Sequence, residues 1–194
     1  MQMNRQIVIT GFGGQGVVLA GRIVGKAAAI GDGLESTLVQ SYGPESRGGA
    51  CSAQVTIADS KIHYPYIQHP DILVAMSQAG YEKYIDALSD GGTLIVDQDL
   101  VKPEAGQKEC FSVPSTRFAE EMGLKMMANI IMVGFFTAVT EAVSLDAARQ
   151  TVRESVPKGT EEKNLKAFEK GWEYGRSTLK ARAKTAAGQT GVFA

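Results

Sequence analysis

Apolar residues in this chain fall into short β-branched runs separated by segments with helical spacing. Ile7-Val8-Ile9 opens the series as a buried strand, and Val17 to Ala29 follows as an apolar, alanine-rich helix. Glu35-Ser36-Thr37-Leu38-Val39-Gln40 reads as a second strand. Cys51 to Asp59 alternates apolar and polar residues, as a strand with one exposed face does, and a turn at Asp59-Ser60-Lys61 leads into Ile62-His63-Tyr64-Pro65-Tyr66 as its hairpin partner. Pro70 to Ser77 is a continuous apolar strand. Gln78 to Leu88 then spaces Tyr81, Tyr84, Ile85 and Leu88 as a helix does, Gly91-Gly92 stops it, and Thr93 to Asp97 is the next strand.

The second half is mainly helical. A short strand at Lys108–Pro114 precedes a helix with Ser115 as its N-cap and Gly123 as its end. Met126 to Val143 is the most apolar helix. Leu145 opens another, and Thr160-Glu161-Glu162-Lys163 marks the start of the last, which runs to about Ala183. Ala167, Phe168, Gly171, Trp172, Gly175 and Leu179 give that last helix one face of apolar and small residues. Strands alternating with helices predict an α/β fold: a Rossmann-like, open, mostly parallel sheet with helices on both faces. The expected organisation is a single domain over residues 1–184 with a C-terminal tail at 185–194.

Composition sharpens this picture by exclusion. At 194 residues, 44% hydrophobic and 21% charged, the chain has the balance of an ordered domain. A net charge of -1 argues against nucleic-acid or anionic-membrane partners. The longest apolar stretch, near Ala128 to Val139, is too short and interrupted to span a bilayer, and no basic, apolar leader precedes the first strand, so a cytoplasmic location is expected. Cys51 and Cys110 form no C-x-x-C pair, and His63 and His69 show no metal-binding spacing. No metal site is expected from this chain.

The candidate chemistry sits at two glycine-rich stretches. Gly11, Gly13 and Gly16 satisfy G-x-G-x-x-G between a strand and a helix, with Gly14 and Gln15 inside the turn. The unpaired N–H groups and dipole of the helix after it suit an anion, although the same glycines could serve only to pack the helix on its strand. A dinucleotide site would also need an acid at the end of the second strand, where Val39-Gln40-Ser41 stands instead; Glu35 lies at the opposite end. That strand leads into Ser41-Tyr42-Gly43-Pro44-Glu45-Ser46-Arg47-Gly48-Gly49-Ala50. Arg47 beside Gly48 and Gly49 can present a guanidinium and adjacent N–H groups to a carboxylate or phosphate, with Glu45 as its ion-pair partner or as an acceptor for a partner chain. Glu45 and Arg47 are the catalytic candidates. The binding candidates are Gly11, Gly13, Gly14, Gln15, Gly16, Tyr42, Arg47, Gly48, Gly49 and Asn129, the last placed to hydrogen-bond the glycine turn or a ligand. A stand-alone nucleotide- or CoA-binding protein and an NAD(P)-dependent oxidoreductase are the alternatives left by the residues alone.

Gly11-Phe-Gly-Gly-Gln-Gly16 together with Ser41-Tyr-Gly-Pro-Glu-Ser-Arg-Gly-Gly49 resembles the gamma subunits of the 2-oxoacid:ferredoxin oxidoreductases. Asp71-Ile-Leu-Val-Ala, Gly91-Gly-Thr-Leu-Ile-Val-Asp97 and the Asn129 helix with Gly134 extend the likeness over most of the chain, and the second loop looks most like the 2-oxoglutarate form. The resemblance implies a gamma-type domain over 1–184. Its complex would convert a 2-oxoacid and CoA to acyl-CoA and carbon dioxide while reducing ferredoxin. It further implies alpha and beta partners, with or without delta, that hold thiamine diphosphate, Mg2+ and the iron–sulfur clusters. An isolated chain would then be inactive and would pair with a second copy through the apolar Met126–Val143 surface.

Overall fold

The computed structural model describes residues 3–42, 50–104 and 110–190. The elements in chain order are β1 (Asn4–Phe12), α1 (Val17–Lys26), β2 (Glu35–Tyr42), β3 (Ala50–Ala58), β4 (Ile72–Ala75), α2 (Gln78–Tyr84), β5 (Thr93–Asp97), β6 (Cys110–Val113), α3 (Ser115–Glu121), α4 (Ala128–Thr140), α5 (Leu145–Ser155) and α6 (Glu161–Thr190). Six strands form one sheet in the order β2-β3-β1-β4-β5-β6. β1, β4, β5 and β6 pair in parallel, as the continuous apolar runs predict.

The left half of the sheet departs from the sequence reading. β3 pairs antiparallel with β1 on one side and with β2 on the other. β1 and β2 therefore run in the same direction, as a strand-helix-strand unit requires, but β3 lies between them. With both edges occupied, β3 cannot take a hairpin partner, and Ile62–Tyr66 forms no strand. That segment instead lies as a strap over β3, where the Ile67 N–H donates to Gln54 Oε1 at 3.0 Å. β3 is consequently buried on both faces rather than exposed on one.

Two apolar layers sandwich the sheet. Ile7, Ile9, Ala53, Val55, Ile57, Val74 and Ile95 pack beneath α1 and α3 to α6 in the larger core. Val8, Leu73, Leu94 and Val96 face the other way, toward Tyr81 of α2. The helices thus cover both faces. α1 passes into a π-helical turn at Ala27–Gly31, earlier than the sequence reading ends it. α4 is interior: Ile130, Ile131, Phe135 and Phe136 are all buried, and α6 lies across them. The apolar Met126–Val143 segment is therefore closed by the chain's own last helix and is not a surface for a second copy; of its apolar residues Met126 stays out, 80% exposed. α6 continues through Thr190, beyond the expected end near Ala183.

One polar cluster anchors α3. Ser115, expected as its N-cap, is the first helical residue instead, and the cap acceptor comes from a distant strand. Buried Asp97, at the end of β5, accepts Ser115 Oγ at 2.5 Å, the Thr116 N–H at 2.9 Å and Thr116 Oγ1 at 2.8 Å. α5 and α6 are clamped by Arg149, whose Nε and Nη2 donate to the two carboxylate oxygens of Glu169 at 2.6 and 2.8 Å. That forked pairing holds the guanidinium proton more firmly than usual.

Candidate functional site

The carboxyl ends of β1 and β4 mark the point where successive connections leave in opposite directions, the crevice at which open α/β sheets place ligands. The glycine turn fills this point. Gly14 and Gly16 both take positive φ, 98° and 73°, a conformation that L side chains disfavour. Gly16 is the N-cap of α1, no side chain caps that helix, and its first turn carries no acid.

Two side chains knit the turn to its surroundings. Gln15 Oε1 accepts the Phe12 N–H at 2.6 Å while its Nε2 donates to the Met76 carbonyl at 2.9 Å, joining the ends of β1 and β4. Asn129, at the start of α4, donates from Nδ2 to the Gly16 carbonyl at 3.1 Å. A Cβ on Gly16 would collide with the Asn129 amide, and one on Gly11 would stand 2.5 Å from Gln15 Oε1. Gly11 and Gly16 thus have a packing reason for being glycine, whereas the space around Gly14 is open.

Asn129 is buried, and among the described residues its Oδ1 has no hydrogen-bond partner. Replacing it with alanine should therefore cost only about 1 kcal/mol, one modest hydrogen bond. Asn129→Asp should cost more, about 2–3 kcal/mol at neutral pH, because a carboxylate would face the Gly16 carbonyl without a donor. Urea denaturation of the two variants measures this order.

The rest of the edge is mapped by register. Gly11 lies opposite Cys51, and Cys51 lies opposite Tyr42, so Tyr42 stands two strands away, about 10 Å from the turn. Tyr42 is 68% exposed and Phe12 is 42% exposed. Met126, 80% exposed, lies three residues before Asn129. Glu45, Arg47, Gly48 and Gly49 lie outside the described residues; β2 ends at this edge with Tyr42, and β3 begins there with Ala50. Gly11, Gly13, Gly14, Gln15, Gly16 and Asn129 are thus brought together, with Tyr42 on the same rim. Sequence reasoning missed Met76, whose carbonyl anchors Gln15; a backbone acceptor leaves no mark in side-chain patterns.

The same geometry disfavours a dinucleotide site. The strand beside β1 is the antiparallel β3, and β2 ends on Gln40-Ser41-Tyr42 without a carboxylate. Among the described residues no group of three His, Cys, Asp or Glu side chains could hold a metal ion, and no helix is long and apolar enough to cross a membrane. Burial pushes the Cys51 thiol up, so native protein should react slowly with iodoacetamide there and rapidly once unfolded, as peptide mass analysis would show.

Comparison with known proteins places this geometry. The family model for pyruvate ferredoxin/flavodoxin oxidoreductase matches residues 6–174. The 2-oxoglutarate synthase subunit KorC of Methanothermobacter thermautotrophicus is 49% identical over 181 residues, covering 89% of this chain and 96% of that protein. The pyruvate synthase subunit PorC of the same organism is 30% identical over 174 residues, covering 87% of this chain and 94% of its own length. Among solved structures, the gamma subunit of a keto/oxoacid ferredoxin oxidoreductase from Geobacter sulfurreducens PCA superposes with a TM-score of 0.79 at 38% identity, covering 89% of this chain and 99% of that one. The chain belongs to the pyruvate ferredoxin/flavodoxin oxidoreductase family and has the fold of a gamma subunit of that group.

Proposed function

We propose that this chain is the gamma subunit of a 2-oxoglutarate:ferredoxin oxidoreductase. In this reading the complex decarboxylates 2-oxoglutarate oxidatively, transfers the acyl group to CoA and delivers the electrons to ferredoxin in the cytoplasm. One observation carries the choice of substrate: the chain is far closer to a 2-oxoglutarate synthase subunit than to the pyruvate synthase subunit of the same organism. The thiamine diphosphate, Mg2+ and iron–sulfur clusters belong to alpha and beta partners, with or without delta. Exposed Phe12 and Tyr42 at the edge of the glycine turn support a rim that partners cover, since large apolar side chains facing water at one edge mark an interaction surface.

Within that assembly, the Gly11–Gly16 turn and the Tyr42–Gly49 loop are proposed to face the active site. CoA supplies the thiol that receives the acyl group. This chain's part is to hold it: the α1 N–H groups at the turn and the Arg47 guanidinium fit its phosphates. Arg47 could equally bind the substrate carboxylate, and Glu45 would orient the arginine. Capture of the tagged chain from its native cell should bring down alpha- and beta-like chains, and the eluate should reduce a viologen dye with 2-oxoglutarate and CoA but not with pyruvate. An eluate driven by pyruvate would overturn the substrate assignment. Within an active eluate, Arg47→Ala should raise the Michaelis constant for CoA or for the 2-oxoacid; unchanged constants would remove Arg47 from the site.

A further inference from the structure

The strap between β3 and β4 carries a second feature, at the opposite end of the sheet. Tyr64 and Tyr66 are 63% and 57% exposed, with ring centroids 5.4 Å apart and planes tilted by 55°. The strap is pinned just after them, on their C-terminal side. Ile67 packs into the core beside Leu73 and donates its N–H to Gln54, and Pro70 is buried. Beneath the rings is a cleft of about 450 Å³, lined also by the amides of Asn4, Gln6 and Gln68, by His69 and by Asp71. The Gln6 N–H occupies Asp71 Oδ2 at 2.8 Å, and among the described residues no donor meets Oδ1. Among the described residues no lysine or arginine lines the cleft.

We propose that this cleft receives an arginine side chain of a partner subunit; the inference rests on the subunit reading above. Ring faces and a carboxylate with a free oxygen attract a cation, and the three amides add carbonyl acceptors around it. A planar guanidinium matches this set better than an ammonium does, because it stacks on a ring while donating in its plane to several oxygens. Tyrosine and arginine are also the side chains that concentrate binding energy at interfaces. Along β1, the cleft at Asn4 and the turn at Gly11 are roughly 20 Å apart, so the cleft serves docking and takes no part in catalysis.

The test compares capture of partner chains by tagged wild type, Tyr64→Ala/Tyr66→Ala, Gln68→Lys and Gln68→Glu. All four should melt alike, since the substituted side chains are exposed. The tyrosine double variant should lose at least tenfold in partner affinity, and Gln68→Lys should weaken binding severalfold by opposing the cation, whereas Gln68→Glu should bind at least as tightly as wild type. The viologen-reducing rate per assembled complex should be unchanged in all of them. Wild type that captures partners while the double variant does so equally overturns the cleft alone, and equal weakening by lysine and glutamate at position 68 overturns the cationic guest. Wild type that captures no partner overturns the subunit reading and the cleft's occupant with it.

Discussion

Gly171→Ala is expected to destabilise the chain by roughly 3 kcal/mol or more, the upper range for overpacking, because a backbone stands where the methyl would go. α4 and α6 cross so closely that a Cβ on Gly171 would sit on the Ile131 carbonyl oxygen, and one on Gly134 would sit on the Phe168 carbonyl oxygen. Neither neighbour can rotate away, so the helices must separate and loosen Phe135, Phe136 and Phe168 together. Gly175 is the internal control. Its Cβ would meet the Ala138 methyl at 2.6 Å and the nearest backbone atom, the Phe135 carbonyl oxygen, only at 3.2 Å, so Gly175→Ala should cost less than either. Urea unfolding would give the order, and a Gly171→Ala protein within about 1 kcal/mol of wild type would contradict so close a crossing. A loss of about 3 kcal/mol is a large part of a typical domain's roughly 5–15 kcal/mol.

Asp97→Ala is the second large effect. It deprives Ser115 Oγ, Thr116 Oγ1 and the Thr116 N–H of their acceptor, along with the Asp99 N–H that donates to Oδ1 at 3.0 Å. A buried group left without its partner costs about 1–3 kcal/mol, and loss of the helix cap adds about 1 kcal/mol, so a total near 3 kcal/mol is expected. Asp97→Asn keeps one carbonyl acceptor and should recover part of it. A thermal melt in which the two variants match wild type would show that α3 is anchored by something else.

How much of this could be read from the sequence depended on the range of the interactions involved. The glycine turn was legible because positive φ and close backbone approach select one residue type at fixed spacing, and Asn129 was legible as a lone amide in an apolar helix. The parallel right half of the sheet announced itself through apolar runs without alternation. The insertion of β3 between β1 and β2 was not legible. Its alternation suggested an exposed face, but the strap covers Gln54, and Tyr84, whose hydroxyl lies 2.9 Å from Ser52 Oγ, covers Ser52. Ser115 looked like a cap because its neighbours in sequence are the only context a local pattern holds, whereas Asp97 arrives from another strand. Gly171 read as part of a small-residue face and Gly134 only as part of the family likeness, yet the crossing shows that each meets a backbone carbonyl.

If the chain acts as a required subunit of a larger 2-oxoacid enzyme, the complex must lose its activity without it. This can be measured as CoA-dependent reduction of a viologen dye by the complex purified from cells lacking this chain, before and after adding the purified chain back. Background rates with 2-oxoglutarate are expected before addition, and restored turnover after it. Full 2-oxoglutarate activity in its absence would show that the chain is not a required subunit.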